Sequence, residues 1–457
     1  MKSPLVTVYI TNYNYEKYLQ KAIESVLVQT MQNFELYIID DGSTDKSKNI
    51  IESYRDHESI SIIYQKNKGL NITNNVAMRA ANGKYLMRLD ADDFLEKEAI
   101  EKMSLALEKD DELGLVFPDY YYVDAEGNKT GLEQRHNFEK EVSLYDQPAH
   151  GACTMIRLEF LKNLGGYNES FTCQDGYDLW IKFITHHKVS NINEPLFSYR
   201  RHGQNLTTNE EKILSTRKQI KSVFVDEHFS SPPTLGIIPV RNTFINGINL
   251  PIFEIEGESL LCLKVQACLN SKKLDRVLIS SADNEILAYA RQKFDRNDKV
   301  EVLERPKAFA EKNQSLNDTI HQSLAFEEEK SRTYEAVMTI ALEYPFLQGE
   351  TIDEAIDTLT LFKSDVVLSV RPDNRLYYQH NGSSLQPILD QEKFTKLERE
   401  AIYKGVGGIV LSTVDNFKKY NKMTEGRISH VVVDQRSAFG IFSSFDFEIY
   451  QNLRKSL

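Results

Sequence analysis

Two acidic clusters stand out in this chain, Asp40-Asp41-Gly42-Ser43-Thr44-Asp45 and Asp90-Ala91-Asp92-Asp93, and the second has the composition to hold a hard cation. Mg²⁺ and Mn²⁺ take oxygen ligands, and carboxylates on a tight loop supply them. A cation held there would stabilise a diphosphate as it departs, because its field acts where negative charge accumulates. A second reading stays open for Asp90, Asp92 and Asp93, since acidic residues often cap a helix and one is expected to start near Leu95. The other acidic run follows a different strand and precedes a different helix, which would place two acidic loops on one rim.

The elements that must position these loops are legible from periodicity. VTVYIT reads as a strand, KYLQKAIESVLVQT as an amphipathic helix, FELYIID as a strand, KSKNIIESYRD as a helix, and SIIYQK and KYLMRLD as strands. Strands alternating with helices predict a mostly parallel sheet covered on both faces. The ligand crevice of such a sheet lies beyond the carboxyl ends of its strands. Thr11-Asn12-Tyr13-Asn14 and both acidic runs fall at such ends. Further on come a strand, GLVFPDYYYVD, and helices near LEFLKNLGG and DLWIKFITHH. A charged helix then leads to Ser230-Ser231-Pro232-Pro233, the expected linker, because Pro stops a helix and Ser favours turns. A second αβ series follows: TLGIIPV, ESLLCLKVQACLNS, DRVLISSA and NEILAYARQKF.

At 457 residues the chain exceeds one ordinary core. The fold expected is α/β with two Rossmann-like domains, 1–229 and 230–457. A hydrophobic content of 41% and charged content of 27% exclude disordered and collagen-like classes. A net charge of −12 without a dense Lys/Arg patch argues against nucleic acid as a partner. Cys153, Cys173, Cys262 and Cys268 lack paired metal-ligand spacing and read as reduced, packed thiols. Neither a signal peptide nor a run long enough to span a bilayer is legible, so a cytoplasmic location is expected, with peripheral contact at the inner face of the membrane still open.

VTVYITNYNYEKYLQKAIESVLVQTMQNFELYIIDDGSTDKS, GKYLMRLDADD and QDGYDLW together resemble the family 2 inverting glycosyltransferases of GT-A fold, over about Val6 to Thr207. The resemblance implies a nucleotide-sugar site lined by Thr11 and Asn12, with Asp41 on the base or ribose. It implies a metal, Mn²⁺ or Mg²⁺, on Asp92 with Asp90 nearer the ribose or a metal-bound water. Asp175 takes the place of the general base that accepts the acceptor hydroxyl's proton. Arg88 either lies beside the donor or is an exposed strand residue. Tyr199-Arg200-Arg201-His202-Gly203 resembles the segment that closes over the donor, where Arg201 would meet diphosphate and His202 the metal; a solvated basic loop is the alternative. HGACTMIRLEFLKNLGGYNES resembles the acceptor side, with His150 a candidate contact and Gly151 and Ala152 leaving room for a sugar. Gly165-Gly166 reads as a helix-ending turn, Asp178 as a helix cap and Trp180 as core.

The segment from TLGIIPVRN to SSADNEILAYA, with IALEYPFLQGETIDEAIDTLTLFKSDVVLSV, resembles acylneuraminate cytidylyltransferases from about Leu235 to Asn452. Its chemistry departs from that family. Arg241 persists, but Leu250-Pro251 stands where a Lys-Asn pair is expected, and Gly440-Ile441-Phe442 where two metal carboxylates are expected. The resemblance therefore implies a nucleotidyltransferase-like domain without catalysis, suited to homo-oligomerisation. The function expected is sugar transfer from a UDP-, dTDP- or GDP-sugar to a glycan or lipid-linked glycan of the cell surface. A bifunctional enzyme that activates and transfers a nonulosonic acid, and a non-catalytic nucleotide- or carbohydrate-binding assembly protein, are the alternatives.

Overall fold

The structure, a computed structural model, describes residues 3–134, 151–202, 210–311, 314–373, 375, 377–388 and 402–455. His150 and Gly203 lie outside them. The chain divides into two compact units, Met1–Ile220 and Lys221–Leu457.

Unit 1 runs β1 (Val6–Asn12), α1 (Leu19–Leu27), β2 (Phe34–Asp40), α2 (Ser47–Glu52), β3 (Ile60–Tyr64), α3 (Leu70–Ala80), β4 (Tyr85–Asp90), β5 (Phe94–Leu95), α4 (Ala99–Lys109), β6 (Leu113–Val123), β7 (Lys129–Glu133), β8 (Met155–Arg157), α5 (Leu158–Asn163), α6 (Asp175–His186) and β9 (Lys188–Arg200). Among the described residues the sheet order is β3-β2-β1-β4-β8-β6-β9-β5, with β7 on β6. β1 is parallel to both β2 and β4, with Asn12 opposite Asp40 and Thr11 opposite Asp90. The register alone therefore brings three polar strand ends side by side. Both faces of β1 are covered, because Val6, Val8 and Ile10 join one core cluster and Tyr9 joins another. Such burial on both sides is what a parallel strand under helices requires.

α3 carries no apolar stripe, and sequence periodicity did not reveal it. Its buried face is Asn71, Thr73, Asn74, Asn75 and Ala77. Amides pin it to the chain before α6: Asn71 Nδ2 donates to Asn168 O at 2.7 Å, Asn75 Nδ2 to Tyr167 O at 2.9 Å, and Tyr167 N to Asn75 Oδ1 at 3.0 Å.

Two expectations need correction. No helix starts near Leu95: Phe94 and Leu95 form a strand with β9, and α4 begins at Ala99 after Glu98. Asp178 is not a cap either. Gln174 takes the capping position in a left-handed conformation, φ 62°, while Asp178 lies one turn inside α6, buried, 2.8 Å from Lys182. Gly165 and Gly166 do follow α5 with φ of 79° and 73°. Trp180 is core, 5.6 Å from Phe117 and edge-on to it.

In unit 2 the strands Val300–Glu304, Arg276–Ser281, Thr234–Val240 and Ala336–Ile340 are parallel neighbours, as expected of a doubly wound sheet. Ile402–Thr413 then runs antiparallel to Ala336–Ile340 and Val366–Asp373, so the sheet is mixed. Among the described residues the four cysteines are free, and no helix is long and apolar enough to cross a membrane.

The turn after β2 requires Gly42. Its φ is +82°, and an added Cβ would lie 2.7 Å from Asn67 N, which is backbone and cannot yield. Gly42→Ala is expected to destabilise unit 1 by about 1–3 kcal/mol. Fluorescence of Trp180, the one tryptophan of the sequence, follows unit 1 during unfolding; an unchanged midpoint would contradict this.

Candidate functional site

At the carboxyl ends of β1 and β2, Asn12 Nδ2 donates to Asp40 Oδ1 at 2.7 Å and to Ser43 Oγ at 3.0 Å. Asp41 accepts from Gln65 Nε2 at 2.7 Å, Lys68 N at 2.9 Å and Gly69 N at 2.9 Å. That carboxylate thereby fixes the turn that launches α3. Thr11 Oγ1 donates to Asp90 Oδ1 at 3.4 Å.

Arg88 is buried, 5% exposed, so it is no exposed strand residue. Its guanidinium pairs with Asp90, Nε to Oδ1 at 2.9 Å, and on the other side with Asp175. Burial alone lowers the Arg88 pKa, but Asp175 and then Asp90 offset it, and the net shift is well upward. The segment Gly151–Cys153 backs this arginine: a Cβ on Gly151 would lie 2.5 Å from Arg88 Nη2, and Cys153 N donates to Arg88 O at 2.8 Å. Gly151 therefore makes room for the guanidinium, where sequence reasoning gave it to a sugar.

A second group gathers where β4 and β9 end. Asp92 Oδ2 and His202 Nε2 are 2.9 Å apart. Tyr18 stacks on the His202 ring at 5.4 Å, Tyr15 meets it edge-on at 5.8 Å, and the Arg200 guanidinium lies 4.5 Å over Tyr18. Arg200 also holds the acidic loop, with Nε donating to Asp92 O and N to Asp93 Oδ1, both at 2.8 Å. Arg201 stacks 3.6 Å over Tyr122, and its buried Nη2 has no hydrogen-bond partner among the described residues. The Asp92 carboxyl is pushed up by burial and then by Asp90; that of Asp93 is pushed well up by burial, Asp92 and Asp90.

These residues fit a divalent cation in chemistry. A carboxylate and an imidazole converge, and a cation there would favour the ionised form of the neighbouring carboxylates, which burial and mutual repulsion disfavour. Among the described residues no group of three or more His, Cys, Asp or Glu forms a metal-ligating cluster. Asp90 is turned to Arg88. The structure thus brings Asp92 and His202 together, Asp90 and Asp175 together through Arg88, and Asn12 and Asp41 into the adjacent turn. Sequence reasoning missed Tyr15 and Tyr18, although their spacing in NYNYEKY was a visible signal. It also missed Tyr9, Asn74 and Tyr167, a hydrogen-bonded chain that ends on Asp175 and carries no motif.

Unit 1 is an α/β domain with an acidic rim at the carboxyl ends of its parallel strands. Residues 7–165 match the model of glycosyl transferase family 2. An uncharacterized glycosyltransferase of Methanocaldococcus jannaschii is 34% identical over 210 residues, covering 44% of this chain and 72% of that one. The chain belongs to glycosyl transferase family 2. Chondroitin synthase of Escherichia coli is 32% identical over 247 residues, 54% of this chain but only 35% of that protein. The crystal structure of S. aureus TarS 1-349 in complex with UDP-GlcNAc aligns with a TM-score of 0.42 and 20% identity, covering 49% of this chain and 66% of that one. The parallel-rich sheet of unit 1 is consistent with the GT-A domain expected of the family.

The raised pKa of Asp93 has a sign that can be tested. A carboxyl whose folded pKa lies above its unfolded value of about 4 binds its proton more tightly in the folded state, so stability falls as pH rises through that window. In metal-free buffer, Asp93→Asn should raise the Trp180 unfolding midpoint at pH 8, and the gain should shrink as pH is lowered toward 5. A gain that grows on acidification would contradict the assignment.

Proposed function

We propose that unit 1 is an inverting, metal-dependent glycosyltransferase that moves a sugar from a UDP-, dTDP- or GDP-sugar to a glycan or lipid-linked glycan of the cell surface. The observation that carries this reading is Asp175 at the start of α6, joined through Arg88 to Asp90 on the acidic strand-end loop. It sets a carboxylate able to take a proton beside the loop suited to a diphosphate. The likeness to chondroitin synthase supports a polysaccharide as product.

In this reading Thr11, Asn12 and Asp41 form the nucleoside end of the cleft. Asp92 and His202, with Asp90 near them, would hold Mn²⁺ or Mg²⁺, which when bound neutralises charge on the diphosphate. The buried, unpartnered nitrogen of Arg201 suits a phosphate oxygen. Asp175 accepts the proton of the acceptor hydroxyl as its oxygen bonds to the anomeric carbon. The bond from that carbon to the diphosphate breaks in the same displacement, and the nucleoside diphosphate leaves. Arg88 keeps the two acidic groups apart and oriented.

Unit 2 is, in this reading, a non-catalytic relative of the acylneuraminate cytidylyltransferases that assembles the chain into a homo-oligomer. Leu250, where a cation is expected, is buried in its core, and Phe442, in the place of metal carboxylates, is exposed. Arg241, Asn242, Asp283 and Lys307 still line a cavity of about 440 Å³ beyond the ends of parallel strands. The working location is the cytoplasm, at the inner face of the membrane.

Asp92→Asn should abolish the Mn²⁺-dependent rise in melting temperature that UDP, dTDP or GDP produces, because a ligand stabilises by mass action. Asp175→Asn should keep that rise and lose sugar transfer by about 100-fold or more. Full transfer by both variants would remove the reading.

A further inference from the structure

Among the described residues the Asp175 side chain receives two contacts, and both fall on one oxygen. Arg88 pairs with Oδ2, and Asn74 Nδ2 donates to the same Oδ2 at 3.4 Å. Among the described residues no hydrogen bond reaches Oδ1. Asn74 is fully buried on α3, where an amide is costly unless its polar atoms are paired.

The hydrogen inventory decides which way this amide points. Turning its oxygen to Asp175 would set two acceptors against each other, so Nδ2 faces the carboxylate. Oδ1 then lies 3.2 Å from Tyr9 Oη, which must donate its only hydrogen there. Tyr167 Oη, 3.2 Å from Tyr9 Oη, therefore donates to Tyr9. Tyr9 on β1 and Tyr167 before α6 are both buried. The chain Tyr167–Tyr9–Asn74 ends on a single carboxylate oxygen.

We propose that Asn74, oriented by Tyr9, is a positioning residue that with Arg88 holds Oδ2 of Asp175 and so presents Oδ1 to the acceptor hydroxyl. The proposal rests on Asp175 being the general base. The proton of the attacking hydroxyl passes to Oδ1 while its oxygen bonds to the anomeric carbon and the diphosphate departs. The contact at 3.4 Å is long for a hydrogen bond, and such contacts tighten when substrate binds. What Asn74 contributes is orientation of the accepting lone pair.

The test uses the full chain and nucleoside diphosphate release from whichever of UDP-GlcNAc, UDP-GalNAc, UDP-glucuronate, dTDP-glucose and GDP-mannose it turns over. Asn74→Leu should lower kcat about 10-fold with the donor KM within about 2-fold, a modest share of what general-base chemistry supplies. Tyr9→Phe should lower kcat about 3-fold, and the double variant should be no slower than Asn74→Leu, because Tyr9 acts only through Asn74. Additive losses, or kcat unchanged in both single variants, would overturn the proposal. Should Asn74→Leu melt below the assay temperature by Trp180 fluorescence, Tyr9→Phe decides alone: a lower kcat at constant KM supports the proposal and an unchanged kcat overturns it. Asp175→Asn separates the two levels. If it retains turnover, the base assignment fails; if it is inactive while the other variants are normal, only the role of Asn74 fails.

Discussion

Arg88 stands two residues before the end of the acidic strand, with Asp90 on one side and Asp175 on the other; Arg88 and Asp175 are buried and Asp90 is partly so. Removing a carboxylate from water costs several kcal/mol unless a counter-charge and hydrogen bonds replace the lost hydration. Much of unit 1 is arranged around that requirement. Gly151 has no side chain because the guanidinium fills its place, and the backbone of Cys153 adopts φ 53° while its amide donates to Arg88 O. α3 turns amides inward where a helix under a sheet ordinarily turns leucines: Asn74 reaches Asp175, while Asn71 and Asn75 hold the chain before α6.

The same constraint explains the division of labour at the rim. Asp90 is satisfied by Arg88, whereas among the described residues the Asp92 side chain pairs with His202 and that of Asp93 accepts from the backbone N–H of Arg200, and burial pushes both carboxyls up. Ionising Asp92 and Asp93 is therefore costly, and Asp92 stands beside an imidazole packed against Tyr18 and Tyr15. In the proposed reading a cation would offset that cost, as the arginine does at Asp90.

Features governed by local pattern could be read before the fold was known. β1, β2 and β4 are apolar runs ending in Asn or Asp, and their parallel register follows from alternation with helices, which is why the two acidic runs fall on one rim, on either side of β1. Asp92 and His202 met as well, 110 residues apart in sequence. What stayed hidden depends on pairing across the fold. Arg88 and Asp175 are 87 residues apart, and nothing local distinguishes a buried paired arginine from an exposed one. α3 escaped because its buried side is Asn and Thr, which periodicity scores as solvent-facing. Asp178 was misread because Gln174, by taking a left-handed conformation, starts α6 one turn earlier than the Asp-Leu-Trp run suggests. In unit 2, Gly405, Gly407 and Gly408 interrupt the apolar pattern of Ile402–Thr413, and its antiparallel course was not foreseen.

The central claim is that a single displacement takes place at this rim, with the acceptor proton passing to Asp175. The stereochemistry of the product tests it most directly. Transfer from an α-linked nucleotide sugar, followed by proton NMR of the new linkage, should give the β-anomer. An α-linked product would mean two displacements or a front-side path, and would contradict the role given to Asp175.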